Sequence, residues 1–328
     1  MLGSGSFRSD FGGLWTDRAD ADEVLSSLIQ QGLSADLVDQ VQFWIKHGYV
    51  ILERAVDVEL CEKLRRELHD IYKFGNENFL IQEPLAAPGT GSPVVKGIEP
   101  ARMRIVDMYG RSNNAINVLL APRIKEFLRL IFSADPLLFQ GLTFEKGSGQ
   151  GLHQDTAYVV LDKPMELAAA WIALEDISPE SGELMYLDGS HRTPEWKFGG
   201  NSKHYDPDQH EAQEHDEWAK NLIRKGEELG FEKKIFRPNQ GDVLIWSADL
   251  VHGGSPVGDK SLTRRSIVGH YCPVDVNPHY FSYMEGRKKF QIEDAFVSSA
   301  YYDEIVGPLP LNKTGTTKKF ARFFKKKS

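Results

Sequence analysis

The chain has 328 residues, with 39 Lys and Arg against 47 Asp and Glu, a formal charge of −8 and a hydrophobic fraction of 41%. That composition supplies ample apolar material for a globular core; it argues against nucleic acid as a partner, which needs a basic footprint, and no run approaches the roughly eighteen apolar residues of a transmembrane helix. Cys61 and Cys272 alone make no disulfide framework, and the first residues lack a basic-then-apolar export pattern, so a reducing, cytoplasmic setting is expected.

Residues 1–22 are rich in Gly, Ser and Asp and read as a flexible N-terminus. From Ser34, an apolar stripe of Leu37, Val38, Val41, Trp44 and Ile45 predicts a helix, with Gly48 at its C′ position. Tyr49–Leu52 reads as a strand, and Leu60, Leu64, Leu68 and Ile71 mark one face of a second helix. Residues 75–95 carry Pro84, Pro88, Gly89, Gly91 and Pro93 and read as a long loop. Pro122 opens a third helix carrying Ile124, Phe127, Leu128 and Ile131.

Beyond about residue 137 the chain changes character. Segments 137–144, 157–161, 167–174, 183–187, 243–246 and 265–272 are rich in Val, Ile, Leu and aromatics and are punctuated by Gly and Pro. Strands at that spacing point to a mainly β fold braced by helices, a double-stranded β-helix or cupin-like jelly roll, and not to a parallel α/β sheet. Residues 193–235 form a polar insertion with a helix near 211–229. One domain is therefore expected over 23–311. The tail, 312–328, carries seven Lys/Arg and no acid, leaving the rest at −15 (−8 less the tail's +7). With Phe320, Phe323 and Phe324 interleaved, it reads either as a solvated end or as a contact for an anionic surface.

The chemistry centres on Gly151-Leu152-His153-Gln154-Asp155-Thr156. On a short strand, His153 and Asp155 leave the same face and can meet at one point. Two histidines and one carboxylate with open positions suit non-haem Fe(II). The pair alone is a weak signal, and the chain holds a second copy, His204-Tyr205-Asp206. That copy sits among turn formers with no apolar strand, and reads as a solvated loop. His252 is the candidate third ligand, at the end of an apolar strand and before Gly253-Gly254; a buried structural histidine is an equal reading there. Arg264 opens the next strand and suits bidentate recognition of a carboxylate, or is a surface arginine beside Arg265.

Beyond these local readings, the ordered set resembles the phytanoyl-CoA dioxygenase family of Fe(II)/2-oxoglutarate-dependent oxygenases. The resemblance runs from Phe43-Trp44-Ile45-Lys46-His47-Gly48-Tyr49-Val50 through Leu152-His153-Gln154-Asp155, Trp171-Ile172-Ala173-Leu174, Ser181-Gly182-Glu183-Leu184 and Gly189-Ser190-His191. It closes with Gly241-Asp242-Val243, His252-Gly253, and Arg264 ahead of His270-Tyr271. It implies a metal triad of His153, Asp155 and His252, with Arg264 on the distal carboxylate of 2-oxoglutarate and Trp171 lining the cosubstrate site. Gln154 and Arg104 are further pocket candidates. Where the family often has a serine two residues past the distal histidine, this chain has Gly254, with Ser255 one further on. The implied cofactors are Fe(II), 2-oxoglutarate and O2. Retention of Asp155, where related halogenases carry a small residue, favours hydroxylation.

For substrate, Tyr158, Tyr186 and Trp246 are candidate walls of an apolar pocket for a small or medium organic molecule, although strand aromatics more often fill cores. The 75–95 loop and the 193–235 insertion are candidate lids, and exchanging the insertion is expected to change substrate choice while sparing uncoupled 2-oxoglutarate turnover. A cupin-like metal hydrolase or isomerase, and a binding protein on the same fold, are the alternatives.

Overall fold

The computed structural model describes residues 5–83, 86, 90–100 and 103–306. Helix α1 (Ala21–Gln30) precedes α2 (Ala35–His47), whose N-cap Ser34 accepts the Leu37 N–H. The chain leaves α2 at Gly48 with φ +80°. Glycine is needed there for that left-handed conformation and for space, since a Cβ would meet the His191 ring at 2.3 Å. Strand β1 (Tyr49–Leu52) follows, then α3 (Val58–Phe74), capped by Asp57. Short strands β2 (Asn76–Gln82), β3 (Ser92–Val94) and β4 (Arg104–Val106) lead to α4 (Asn113–Leu119) and α5 (Pro122–Phe132). Pro122 stands at the start of α5, where its missing N–H has no partner to lose.

Most of the remainder is β: β5 (Pro136–Phe144), β6 (Ala168–Ala173), β7 (Leu184–Leu187), then α6 (Ala212–Glu228) and β8 (Lys233–Phe236). It continues with β9 (Val243–Ser247), β10 (His252–Gly254), β11 (Ser266–Pro273), β12 (Phe290–Ile292) and β13 (Ala295–Val297). Among the described residues, ten strands form one sheet, in the order β1-β9-β6-β11-β5-β4-β2-β3, with β13 beside β5 and β12 beside β13. A second sheet runs β10-β7-β8, and His153 bridges to His252 along its open side.

Side-chain parity explains how the two sheets enclose a site. Every residue of β6 is buried, so both faces of that strand are covered. Ala168, Ala170 and Ile172 face the helices, in one core with Ile245, Ile267, Trp44 and Phe127. Ala169, Trp171 and Ala173 face inward with Leu244, Trp246, Val268 and Phe144, and Leu184, Tyr186 and Phe236 close that inner core from the second sheet. The long N-terminal helices therefore brace the outside of a jelly roll whose interior is free for chemistry.

Four sequence expectations need correction. Residues 5–22 are packed: Trp15 and Thr16 are buried, the Trp15 indole donates to the Leu130 carbonyl, and Thr16 Oγ1 accepts from the Trp44 indole. Between 75 and 95, β2 and β3 pair with each other; Pro93 lies in β3, which is last in the order of the large sheet, an edge position where the missing N–H is tolerated. Residues 157–161 form no strand, because the Tyr158 and Val159 N–H groups both donate back to the Asp155 carbonyl in a 3-10 turn. The 193–235 insertion holds α6 as expected, yet it carries its own apolar cluster of Phe198, Trp218 and Leu222 against Ala157, Leu187 and Val251. The basic tail, 312–328, lies outside the described residues.

One buried acid joins three parts of the large sheet. Asp107, at φ +44°, accepts the Gly141 N–H at 2.6 Å and the Ser299 hydroxyl at 2.6 Å. Burial outweighs these hydrogen bonds and pushes its carboxyl up to about 7. A raised carboxyl binds its proton more tightly in the folded chain, so its stabilising contribution is complete below the unfolded value of 3.8 and is lost as pH rises through about 7. Asp107→Asn keeps the acceptor for Gly141, and amide geometry tolerates the positive φ. Denaturant unfolding across pH 5 to 8 is expected to show the variant gaining on the wild type as pH rises. A pH-independent difference would contradict this account.

Candidate metal centre

The site is assembled by two backbone hydrogen bonds. The His153 N–H donates to the His252 carbonyl at 2.8 Å, and the His252 N–H returns to the His153 carbonyl at 2.9 Å. The segments approach this closely because Gly253 lacks a side chain; a Cβ there would lie 2.7 Å from the Gly151 carbonyl oxygen. The two imidazole centroids are consequently 4.4 Å apart.

Both rings are oriented in the same way. His153 Nδ1 lies 2.8 Å from the Gly151 carbonyl, and His252 Nδ1 lies 2.9 Å from the Leu250 carbonyl. A carbonyl can only accept, so each Nδ1 carries a proton, and in the neutral imidazole the Nε2 lone pair is left as the ligand atom; that of His153 has the Gln150 amide 3.3 Å away. Asp155 enters from the start of its 3-10 turn, with Oδ1 3.6 Å from His252 Nε2 and 3.9 Å from His153 Nε2. The three ligand atoms lie within 4.8 Å of one another, and all three residues are buried. Among the described residues this is the only such group, and it excludes the second copy of the motif. There, Asp206 accepts from the Asp208 N–H and from Gln209 within its own loop.

The supporting contacts are as specific as the ligands. The Trp246 indole donates to Asp155 Oδ2 at 2.7 Å, which leaves Oδ1 to face the histidines. Its ring also packs on His252 at 4.5 Å. His270 Nε2 lies 3.7 Å from Asp155 Oδ2. Burial, then the neighbouring His252, lowers the His153 imidazole to about 3. Burial would raise the Asp155 carboxyl, but His252 and then His270 outweigh it and hold the group below the ordinary carboxylate range. An unprotonated imidazole at His153 and an ionised Asp155 are protonation states that a divalent metal needs. A carboxylate supported from behind and two rings fixed through Nδ1 match the usual surroundings of metal ligands. The donor set therefore fits Fe(II).

Arg264 lies just before β11, at a position in phase with the inward-facing Ser266, Val268 and His270. It is 3% exposed, its guanidinium lies over the Phe144 and Trp171 rings at 5.4 and 5.7 Å, and its Nε has no hydrogen-bond partner. No carboxylate lies within ion-pair distance of it among the described residues. Burial lowers its pKa to about 10, with Glu183 acting in the opposite direction. Glu183 accepts from the Ser255 hydroxyl at 3.0 Å and pairs with Arg237 at 2.9 Å. Trp171 Nε1 is likewise buried without a partner.

The other candidates separate. Arg104 donates to Gln82 Oε1 at 3.0 Å and keeps a buried, unpartnered Nε on the inward face of β4. Gln154 points away from the triad, its amide donating to the Asp249 carbonyl at 2.9 Å. Trp246 and Tyr186 are 2% and 4% exposed, so they fill the inner core and do not wall an open pocket; the Tyr186 ring packs on Tyr49 at 4.5 Å. Tyr158 is the half-buried one of the three, 5.7 Å from the His153 ring, with its hydroxyl 2.7 Å from His215 of α6. Sequence reasoning gave no role to His270, although its even spacing from Arg264 along one strand was the available signal. An open surface groove of about 560 Å³ beside α3, lined by Arg66, Asp70, Phe74 and Phe79, holds none of these residues.

Fold and centre together define a jelly-roll protein with a buried two-histidine, one-carboxylate metal site. The family profile described as "Phytanoyl-CoA dioxygenase (PhyH)" matches residues 44–266, and the chain belongs to that family. It is a 2-oxoglutarate-dependent dioxygenase whose triad fits Fe(II). Among curated proteins it is 29% identical over 274 residues to the peroxisomal phytanoyl-CoA dioxygenase of Bos taurus, covering 79% of this chain and 74% of the relative. It is 24% identical over 223 residues to phytanoyl-CoA dioxygenase domain-containing protein 1 of Danio rerio, covering 52% and 76%. The epimerase SnoN of nogalamycin biosynthesis, solved with Fe3+, alpha ketoglutarate and nogalamycin RO, shares the fold with a TM-score of 0.56 at 15% identity, covering 80% of this chain and 98% of SnoN. EctD from S. alaskensis, solved with 2-oxoglutarate and 5-hydroxyectoine, gives 0.51 at 18% identity, covering 74% and 77%.

Trp246→Phe removes the indole N–H that holds Asp155 and keeps a smaller aromatic ring beside His252. Anaerobic titration with Fe(II) is expected to show affinity weakened by about tenfold or more, and His153→Ala is expected to abolish binding. Wild-type affinity in Trp246→Phe would contradict the assigned orientation of Asp155.

Proposed function

We propose that the chain hydroxylates a small or medium organic substrate at a C–H position, with His153, Asp155 and His252 holding Fe(II) and Arg264 holding 2-oxoglutarate. Arg264 carries the reading. An arginine sealed inside the barrel without a carboxylate pays a large desolvation cost unless an anion completes it. Its planar fork suits the distal carboxylate of the cosubstrate. Trp171 and Phe144 form the apolar floor beneath it, and Ser255 contributes through Glu183, which it holds on the side of Arg264. Arg104 is the further cosubstrate-pocket candidate on the inward face, and Gln154 supports the site from behind.

Bound iron and 2-oxoglutarate supply the oxidation, in which O2 is consumed, 2-oxoglutarate becomes succinate and CO2, and one oxygen atom is placed in the substrate. The chain's own residues orient and protect. Trp246 holds one oxygen of Asp155 so that the other faces the metal position. The buried inner wall keeps bulk water from the reacting centre, where every charge interaction is strengthened. Tyr158, beside His153 and bonded to His215, is the proposed substrate-side wall. Retention of Asp155 supports hydroxylation within a fold that also hosts an epimerase. No described helix is long and apolar enough to cross a membrane, and two buried free cysteines support placement in a reducing compartment such as the cytoplasm.

Anaerobic addition of 2-oxoglutarate to the Fe(II) protein is expected to produce a weak visible charge-transfer band. Arg264→Ala is expected to lose the band at cosubstrate levels that saturate the wild type while still binding iron, and Arg264→Lys to retain part of it. Aerobic turnover with a screened substrate is expected to release succinate in step with product. An iron-loaded wild type with no band and no 2-oxoglutarate requirement would point instead to a cupin-like hydrolase or isomerase; one that takes up no iron would point to a binding protein.

A further inference from the structure

The 193–235 insertion reaches the metal centre through charge. Asp249 lies three residues before His252 and is 6% exposed. Its carboxylate accepts the Thr156 hydroxyl at 2.6 Å on Oδ1 and the Lys203 ammonium at 2.6 Å on Oδ2. Its backbone carbonyl accepts the Gln154 amide at 2.9 Å. Gln154 and Thr156 are the two neighbours of Asp155, so one residue grips both sides of that ligand while standing on the loop of another.

Lys203 belongs to the insertion and its side chain is 2% exposed. Its other anionic contact is Glu195, at 3.5 Å. Glu195 Oε1 in turn accepts the Ser9 hydroxyl at 2.5 Å. A backbone bond from the Tyr205 N–H to the Ala157 carbonyl, 3.0 Å, ties the same insertion to the 3-10 turn carrying Asp155.

We propose that Lys203 is a positioning residue for the metal centre: by neutralising buried Asp249 it locks the loop carrying Asp155 to the loop carrying His252. The inference rests on the metal reading above and adds to it that the insertion completes the centre. Removing one partner of a buried ion pair leaves the other charge uncompensated, and the chain responds by moving or hydrating it. Here any such movement of Asp249 pulls on Gln154, Thr156 and the approach to His252 together. Ligand atoms that must converge within a few ångströms tolerate little of that slack. Neutralising both partners removes the uncompensated charge and leaves an acceptor for Thr156 in place.

The test is an anaerobic titration of the full-length apo protein with Fe(II) alone, alongside thermal unfolding. It compares wild type with Lys203→Met, Thr156→Val, and the double variant Lys203→Met/Asp249→Asn. The expected result is iron affinity weakened about tenfold or more in Lys203→Met, a smaller loss in Thr156→Val, and recovery of most of the affinity in the double variant. Thr156→Val and the double variant preserve the test if Lys203→Met fails to fold. Unchanged iron affinity in the folded variants, with only a lower melting temperature, would overturn the inference and leave Lys203 a structural residue. A wild-type chain that takes up no iron would overturn the metal reading itself, and this inference with it.

Discussion

The reciprocal backbone pair between His153 and His252 is the constraint on which the rest of the site depends. It fixes two ligands from segments a hundred residues apart without using either side chain. The pair exists because Gly253 allows the 150–153 segment to lie against β10. With the backbones joined, the Gly151 and Leu250 carbonyls each hold one Nδ1, and both Nε2 atoms are left facing one volume. Asp155 needs only a tight turn to join them, and the 3-10 geometry at 155–157 provides it. The large sheet then contributes the Trp246 and His270 side chains that settle which carboxylate oxygen faces inward.

The inner core combines apolar packing with a few charges that it cannot solvate. Asp155 is compensated by its histidine neighbours, and Asp249 by Lys203. Arg264 is the exception, sealed above Phe144 and Trp171 with no carboxylate of its own. A guanidinium buried with no protein carboxylate beside it suits an anionic ligand at that point. Lys203 is paired within the protein, whereas Arg264 has no protein carboxylate beside it, and its proposed partner is the cosubstrate. On this view the insertion is part of the scaffold of the centre as well as a boundary of the pocket, so exchanging it is expected to disturb iron binding in addition to substrate choice.

Much of this was legible in the sequence where pattern and structure share a period. The stripes through Leu37–Ile45 and Leu60–Ile71 became α2 and α3, and the apolar runs ending at Phe144, Leu174, Leu187, Trp246 and Cys272 became strands. His153, Asp155, His252 and Arg264 were readable because the family's ordered spacing names them together. The misreadings have physical causes. Residues 157–161 have strand composition, but the Asp155 carbonyl captures two N–H groups and curls the segment. The prolines and glycines of 75–95 mask two strands, β2 and the edge strand β3, where the missing N–H of Pro93 is harmless. The N-terminal residues look unstructured until Trp15 and Thr16 find partners more than twenty-five residues away. Lys203 and Asp249 carry no local signal at all, and Trp246 was read only as a pocket wall, since their contacts run across the fold.

The most direct test of the central claim is a crystal structure of the Fe(II) protein grown anaerobically with 2-oxoglutarate. The account requires one iron bound by Nε2 of His153, Nε2 of His252 and a single oxygen of Asp155. The other Asp155 oxygen should remain on the Trp246 indole, and the distal carboxylate of 2-oxoglutarate should lie on Arg264. Iron held by other residues, or 2-oxoglutarate bound away from Arg264, would contradict it.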